Sequence, residues 1–121
     1  MTSPNQQTPR RGELYWVDFG TPRGSEQGGR RPAVVVSGNI ANRASPVVLV
    51  AAVTTKIPSR QYPWNVPLAA TGELREDGTI LCNQLRVVSK ERLETYVGAL
   101  DDEQMRKLNR ALAVAVGLIV G

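Results

Sequence analysis

The sequence predicts a mainly β domain, a small and strongly bent antiparallel sheet or barrel with a helix at its carboxy-terminal end. Three observations carry that reading. Short runs rich in Val, Ile and aromatic residues alternate with polar connections that contain Gly and Pro. No long amphipathic helix lies between those runs, which removes an alternating β–α–β plan. The one long segment with helical apolar spacing comes last, from Asp101 onward.

Each element follows from its residues. Glu13 to Gly20, ELYWVDFG, is aromatic and partly alternating, and reads as a first strand ended by a Gly-, Pro- and Arg-containing cluster. Pro32 to Ser37 and Pro46 to Val53 are near-continuous β-branched runs, as buried strands are, and their leading prolines suit strand starts. Asn39 to Ala44 between them fits a helical turn. Asn65 to Ala69 is a short strand. Glu76-Asp77-Gly78 supplies turn chemistry before two further strands, Thr79 to Asn83 and Gln84 to Ser89. Ser89 to Leu93 reads as a short helix capped by Ser89. Asp101 to Val120 reads as a longer one, with Asp101 and Gln104 spaced as a capping box. Met105, Leu108, Leu112, Ala115, Val116 and Ile119 then give it one apolar face.

At 121 residues the chain is long enough for one core. Residues 1–10, MTSPNQQTPR, read as a flexible polar arm, and 11–121 as a single domain. The arm lacks the apolar segment of a secretory signal, and no apolar run approaches the ~20 residues of a membrane span. One cysteine makes no internal disulfide, so the expected location is cytoplasmic.

The absence of histidine excludes more. A Ser-His-Asp triad, a Cys-His pair, a two-histidine ribonuclease and every histidine-containing zinc site are ruled out, and one Cys cannot build a four-cysteine site. Scattered acids such as Asp18 and Glu26 show no metal-ligand spacing. Neither a metal nor a cofactor is expected. Any chemistry must come from Arg, Lys, hydroxyls, carboxylates or backbone dipoles. The net charge of +4 is concentrated in the amino-terminal half, where five arginines fall between Arg10 and Arg31. That asymmetry points to an anionic partner, nucleic acid first, although a solvated soluble surface has the same composition.

Three features could carry chemistry. In Gly24 to Pro32, GSEQGGRRP, the glycines of a long connection let backbone amides approach an anion, and Arg30 and Arg31 can fork onto phosphate oxygens. Glu26 could hold a guanidinium there or act as a base, and Ser25, Gln27 and Gly28 complete the loop. It lacks the Gly-Lys-Ser/Thr ending of a nucleotide phosphate loop. Thr54-Thr55-Lys56 sets two hydroxyls and a cation directly after a buried strand. Asn83-Gln84-Leu85-Arg86 offers amides for base edges and a guanidinium for phosphate. Each also reads as ordinary loop or strand chemistry. Cys82 reads as a packed thiol, and Trp64, in a Pro-containing loop, as part of a partner surface.

Taken in order, Gly12 to Phe19 (GELYWVDF), Gly24 to Pro32, the strand end Ala52-Val53-Thr54, Leu81 to Val87 (LCNQLRV) and the Leu100-Asp101-Asp102 helix start resemble the MazF/PemK family of toxin endoribonucleases. The resemblance runs from about Arg11 to Val120. It implies an SH3-like barrel of the MazF/PemK/CcdB type, a homodimer, and ribosome-independent cleavage of single-stranded RNA at a short sequence. It also implies a cognate antitoxin whose acidic, disordered tail wraps the dimer and covers the RNA site. By position it assigns Arg31 and Thr54 as catalytic residues. Glu26, Gln27 and Gln84 match groove-lining positions, and Arg30 departs from members that carry an uncharged residue there.

With neither histidine nor metal, such an enzyme would use the RNA's own 2′-hydroxyl. Arg31 would clamp the phosphate, Thr54 would donate to a phosphate oxygen, and Ser25 or amides near Gly28 would add donors. The products would carry 2′,3′-cyclic phosphate and 5′-hydroxyl ends. Two rivals use the same features: a binding toxin of the same fold that traps DNA gyrase, and a noncatalytic RNA-binding barrel. The first would need an aromatic and polar end to the last helix, whereas this chain ends in Gly117-Leu118-Ile119-Val120-Gly121.

Overall fold

A computed structural model describes residues 8–120. Six strands form one antiparallel sheet: β1 Glu13–Asp18, β2 Arg30–Val35, β3 Val47–Thr54, β4 Asn65–Leu68, β5 Gly78–Ser89 and β6 Leu93–Ala99. Two helices complete the fold, α1 Asn39–Ala44 between β2 and β3, and α2 Asp102–Ala115 at the end. The order across the sheet is β4-β5-β3-β2-β1-β6, so sequential strands are mostly neighbours and β4 and β6 are the edges. The mainly β architecture with a carboxy-terminal helix is the predicted one.

Both faces of the central strands are buried, which explains why β2 and β3 are continuous apolar runs rather than alternating ones. Leu14, Val34, Ala51, Val53, Ile80, Cys82 and Val97 point to one face. Their neighbours Tyr15, Val17, Ala33, Val35, Val50 and Ala52 point to the other. Helix α2 covers the first face with Leu108 and Ala111, both buried, flanked by Met105, Leu112 and Ala115. The crossing from β2 to β3 is fixed by Asn42, wholly buried, which takes the Ser37 hydroxyl at 2.5 Å and donates to the Ser37 carbonyl at 3.0 Å. The same hydroxyl accepts Leu49 N–H at 3.0 Å, so a polar pair inside the fold is satisfied.

Besides shifts of one or two residues at the ends of β1 to β4, four features differ from the sequence reading, each for a local reason. The two strands expected over 79–89 are one, β5, bent by a bulge. Ala51 pairs with Leu85 but Ala52 with Leu81, leaving Cys82, Asn83 and Gln84 without partners on β3. Strand β6 was not anticipated: register shifts against β1 around Tyr15 disrupt its alternation, so Leu93 and Val97 are buried on opposite faces. The short helix after Ser89 is a single 3₁₀ turn, Lys90–Arg92. Helix α2 stops at Ala115 rather than Val120, because Gly117 takes φ +82° and Leu118 N–H turns back to the Ala113 carbonyl at 2.7 Å. Val116 and Ile119 therefore leave the expected apolar stripe and stand exposed.

Of the expected arm, residues 1–7 lie outside the described residues; Pro9 is buried, and Arg10 N–H donates to the Glu13 carboxylate at 2.6 Å. No helix among the described residues is long and apolar enough to cross a membrane.

Candidate active site

The long β1–β2 connection is an ordered flap over the sheet. Its base continues the ladder, with Phe19 N–H on the Gly29 carbonyl at 2.9 Å and Gly29 N–H on the Gly20 carbonyl at 2.7 Å. Gly20 and Gly29 both have φ +73°, the left-handed region in which a Cβ is costly. Its tip closes on itself: Glu26 N–H donates to the Arg23 carbonyl, and Arg23 N–H to the Glu26 carboxylate, each at 3.0 Å. The flap is tied down from β5, where the bulge turns Gln84 out of the ladder. Gln84 accepts Gln27 N–H at 3.3 Å and donates to the Ser25 carbonyl at 3.2 Å.

Arg31, on β2, donates from Nε to the Gly28 carbonyl at 2.9 Å, so flap and guanidinium position one another. Ala33 is the last β2 residue paired with β3, opposite Ala52. Arg31 and Thr54 each lie two residues further along, on the same face at the same end of the two strands. Thr54 is buried at 8% exposure, and its Oγ1 accepts Lys56 N–H at 3.2 Å, leaving the hydroxyl proton for another acceptor. It lines a groove of about 400 Å³ together with Gln27, Lys56 and Leu81. Arg86, opposite Val50 on that same face, holds its guanidinium 5.4 Å from the Phe19 ring centre. A backbone-rich flap, a buried hydroxyl and several guanidinium and ammonium groups thus share one surface, an arrangement that can hold and polarise a phosphodiester.

Two adjacent candidates turn the other way. Arg30 stacks 4.6 Å from the Trp16 ring centre, and its Nε donates to the Glu94 carboxylate at 2.6 Å. Arg30 and Thr55 line a second cavity of about 490 Å³, to which Arg31 also contributes. The expectation that Glu26 holds a guanidinium is not met: its carboxylate takes Arg23 N–H, and the carboxylate on an arginine of the pair is Glu94. Glu94 lies on the unanticipated strand β6, so nothing marked it in the sequence. Also missed was the stack of Tyr62 on Trp64, with ring centres 4.5 Å apart and Arg60 over Tyr62.

Cys82 is fully buried on the face that α2 covers, and burial pushes its thiol up to about 11. Burial, then the nearby Glu13 carboxylate, raises the Tyr15 phenol as well. Both are packing groups. Among the described residues no three His, Cys, Asp or Glu side chains stand together as metal ligands.

Residues 10–116 match the family model of the PemK-like, MazF-like toxins of type II toxin–antitoxin systems. The fold and its flap-covered basic face are thus those of a toxin from such a system. The chain is 40% identical to the endoribonuclease EndoA of Bacillus subtilis strain 168 over 111 residues, 91% of this chain and 96% of that protein. It is 37% identical to the endoribonuclease MazF of Staphylococcus saprophyticus over 110 residues, 90% and 92% of the two chains. A solved mycobacterial endoribonuclease in complex with its cognate antitoxin superposes with a TM-score of 0.78 at 30% identity, covering 93% of this chain and 99% of that one. The chain belongs to the PemK-like, MazF-like toxin family.

Proposed function

We propose that this toxin is a ribosome-independent endoribonuclease that cleaves single-stranded RNA without a metal ion, using the RNA's own 2′-hydroxyl. The observation that carries the reading is the anchored Arg31, held by the Gly28 carbonyl at the end of β2 where the buried Thr54 ends β3. The 2′-oxygen attacks the phosphorus in line as the bond to the 5′-oxygen breaks, water taking the 2′-hydroxyl proton and supplying one to the leaving oxygen. Arg31 neutralises the charge that builds on the phosphate, and Thr54 donates to one of its oxygens. Both contacts strengthen in the pentacovalent transition state, which is what accelerates the step rather than tightening binding. A guanidinium stays protonated, so it stabilises charge without exchanging protons. Lys56, Arg86, Gln27 and Gln84 hold the flanking nucleotides.

The names of the two curated relatives support the activity. The solved complex of a similar endoribonuclease with its antitoxin supports a cognate antitoxin for this chain. A basic groove suits an acidic segment that folds on binding and covers the RNA site. A homodimer acting in the cytoplasm completes the reading.

The test is digestion of a long unstructured RNA, with the 5′ ends mapped and their chemistry assayed. Cuts should leave 5′-hydroxyl and 2′,3′-cyclic phosphate ends, persist in EDTA, and vanish where a 2′-deoxy nucleotide replaces the one before the cut. Intact transcripts from the antitoxin-free wild type, or loss of cleavage in EDTA, refute it.

A further inference from the structure

The 490 Å³ cavity does not enter the catalytic reading, although Arg31 and Thr55 connect it to the same end of β2 and β3. We infer that it is a nucleobase pocket, taking the base next to the cleaved phosphate after the strand turns around the β2–β3 end. This assignment rests on the RNA-cleaving reading above for its substrate.

Location comes first. Thr54 ends β3 and lines the groove, while the next residue, Thr55, lines the cavity together with Arg31. A phosphate held at Arg31 and Thr54 therefore leaves its neighbouring nucleotide beside the cavity mouth. The volume lies within the range of small-molecule sites and leaves room for one heterocycle with its sugar outside.

The lining is the second argument. Pro32, Val53, Leu74 and the uncovered edge of Trp16 give the cavity an apolar wall for a base, while the Trp16 ring face itself carries Arg30. Arg30 and Arg75 bring donors and Glu73 and Glu76 bring acceptors, as a base edge with both kinds of group needs. The three arginines are offset by Glu73, Glu76 and the Glu94 carboxylate on Arg30, so the pocket has no excess of positive charge for a second phosphate.

Preorganisation is the third. Arg30 is held between the Trp16 ring and Glu94, and those contacts use its Nε and its flat face. The Nη edge remains for a ligand, and its direction is set before the ligand arrives.

The experiment maps cleavage sites on a randomised unstructured RNA for wild type and for Arg30→Met, Arg75→Ala and Glu76→Gln, with thermal melts to establish folding. Wild type should show a base preference at one position adjoining the cut. That preference should fall roughly tenfold in the variants, with preferences elsewhere retained. Unchanged preference in folded variants overturns the pocket and leaves the ribonuclease reading standing. In parallel, the Trp16 indole N–H resonance, assigned with Trp64→Phe, is followed while RNA tetranucleotides with a 2′-deoxy cut site are added. A shift that depends on the base beside that site supports the pocket even if wild type cuts nothing; an indole signal indifferent to every base refutes it.

Discussion

Gln84 holds Gln27 across the groove, accepting its backbone N–H at 3.3 Å while donating to the Ser25 carbonyl two residues away. One side chain from a bulge on β5 thereby orders a flap more than fifty positions earlier in the chain. Each such bond contributes about 0.5–1.5 kcal/mol net, so together they hold the flap by roughly an order of magnitude in population. Gln84→Ala should raise KM about tenfold with a smaller change in kcat, and speed amide exchange over residues 24–29. Gln84→Glu keeps the acceptor but loses the donor, so it should fall between the two. Steady-state kinetics with exchange measured by mass spectrometry decides it; an unaltered flap in Gln84→Ala would show that other contacts order it.

Arg31 is oriented by the flap it helps to order, through its bond to the Gly28 carbonyl. Arg31→Ala should lower the single-turnover rate by ~10²–10³ while leaving the melting temperature unchanged. Arg31→Lys should recover little, because an ammonium lacks the planar fork that grips both a carbonyl and a phosphate. Gly28→Ala should imitate part of the defect, since a Cβ at Gly28 runs into the Pro22 ring and displaces the carbonyl that aims Arg31.

Thr54 offers a separate test of the same step. Thr54→Val keeps the shape and removes the hydroxyl, which also strips Lys56 N–H of its acceptor. The rate should fall by about 10²-fold, and Thr54→Ser should restore most of it. Equal damage in both variants would show that the methyl group, and hence packing, is what matters.

How much of this was legible in the sequence follows the range of the interactions. Strands β2 and β3 could be read because β-branched runs signal burial on two faces, and β1 from its aromatic, partly alternating residues, each a property of the segment alone. The capping box of α2 was legible for the same reason: Asp101 and Gln104 satisfy one another within three residues. Strand β6 was not, since its register shifts are set by β1 and leave no clean period in LETYVGA. In the site, the glycines and arginines of the flap and the hydroxyls after β3 were visible as residue types. Which arginine meets which carboxylate was not. Arg30 finds Glu94 only through the β1–β6 pairing, and that pairing separates Arg30 from Arg31 in role.

The Asp101 cap permits a clean stability measurement. Its carboxylate accepts Gln104 N–H at 2.8 Å, and the Gln104 side chain accepts Asp101 N–H at 3.2 Å. Asp101→Ala removes one of these bonds and the favourable charge at the helix start, and should cost ~1 kcal/mol. Asp101→Asn should recover most of that loss. Urea unfolding measures both, and cleavage activity should not change, because neither Asp101 nor Gln104 lines the groove or the cavity.

Burial of Cys82 makes a pH prediction with a definite sign. The thiol moves from 9.0 in the open chain to about 11 in the folded one, because the thiolate is poorly solvated beneath α2. Below about pH 9 both states keep the proton and the group does not affect stability. As pH rises from about 9 to 11, the unfolded chain releases it while the folded chain does not. The unfolded state then binds fewer protons, so stability falls over that window, by up to ~3 kcal/mol for the full gap. The raised Tyr15 phenol drives stability the same way from about pH 10 upward, where the unfolded phenol begins to ionise. Urea midpoints measured between about pH 8 and 11 should therefore decline steadily, and Cys82→Ala, though less stable at every pH, should decline less steeply. At about pH 8 the native thiol should resist a disulfide reagent and react at once in unfolding urea. Rapid labelling of the folded protein would mean that the face under α2 opens far more often than its packing implies.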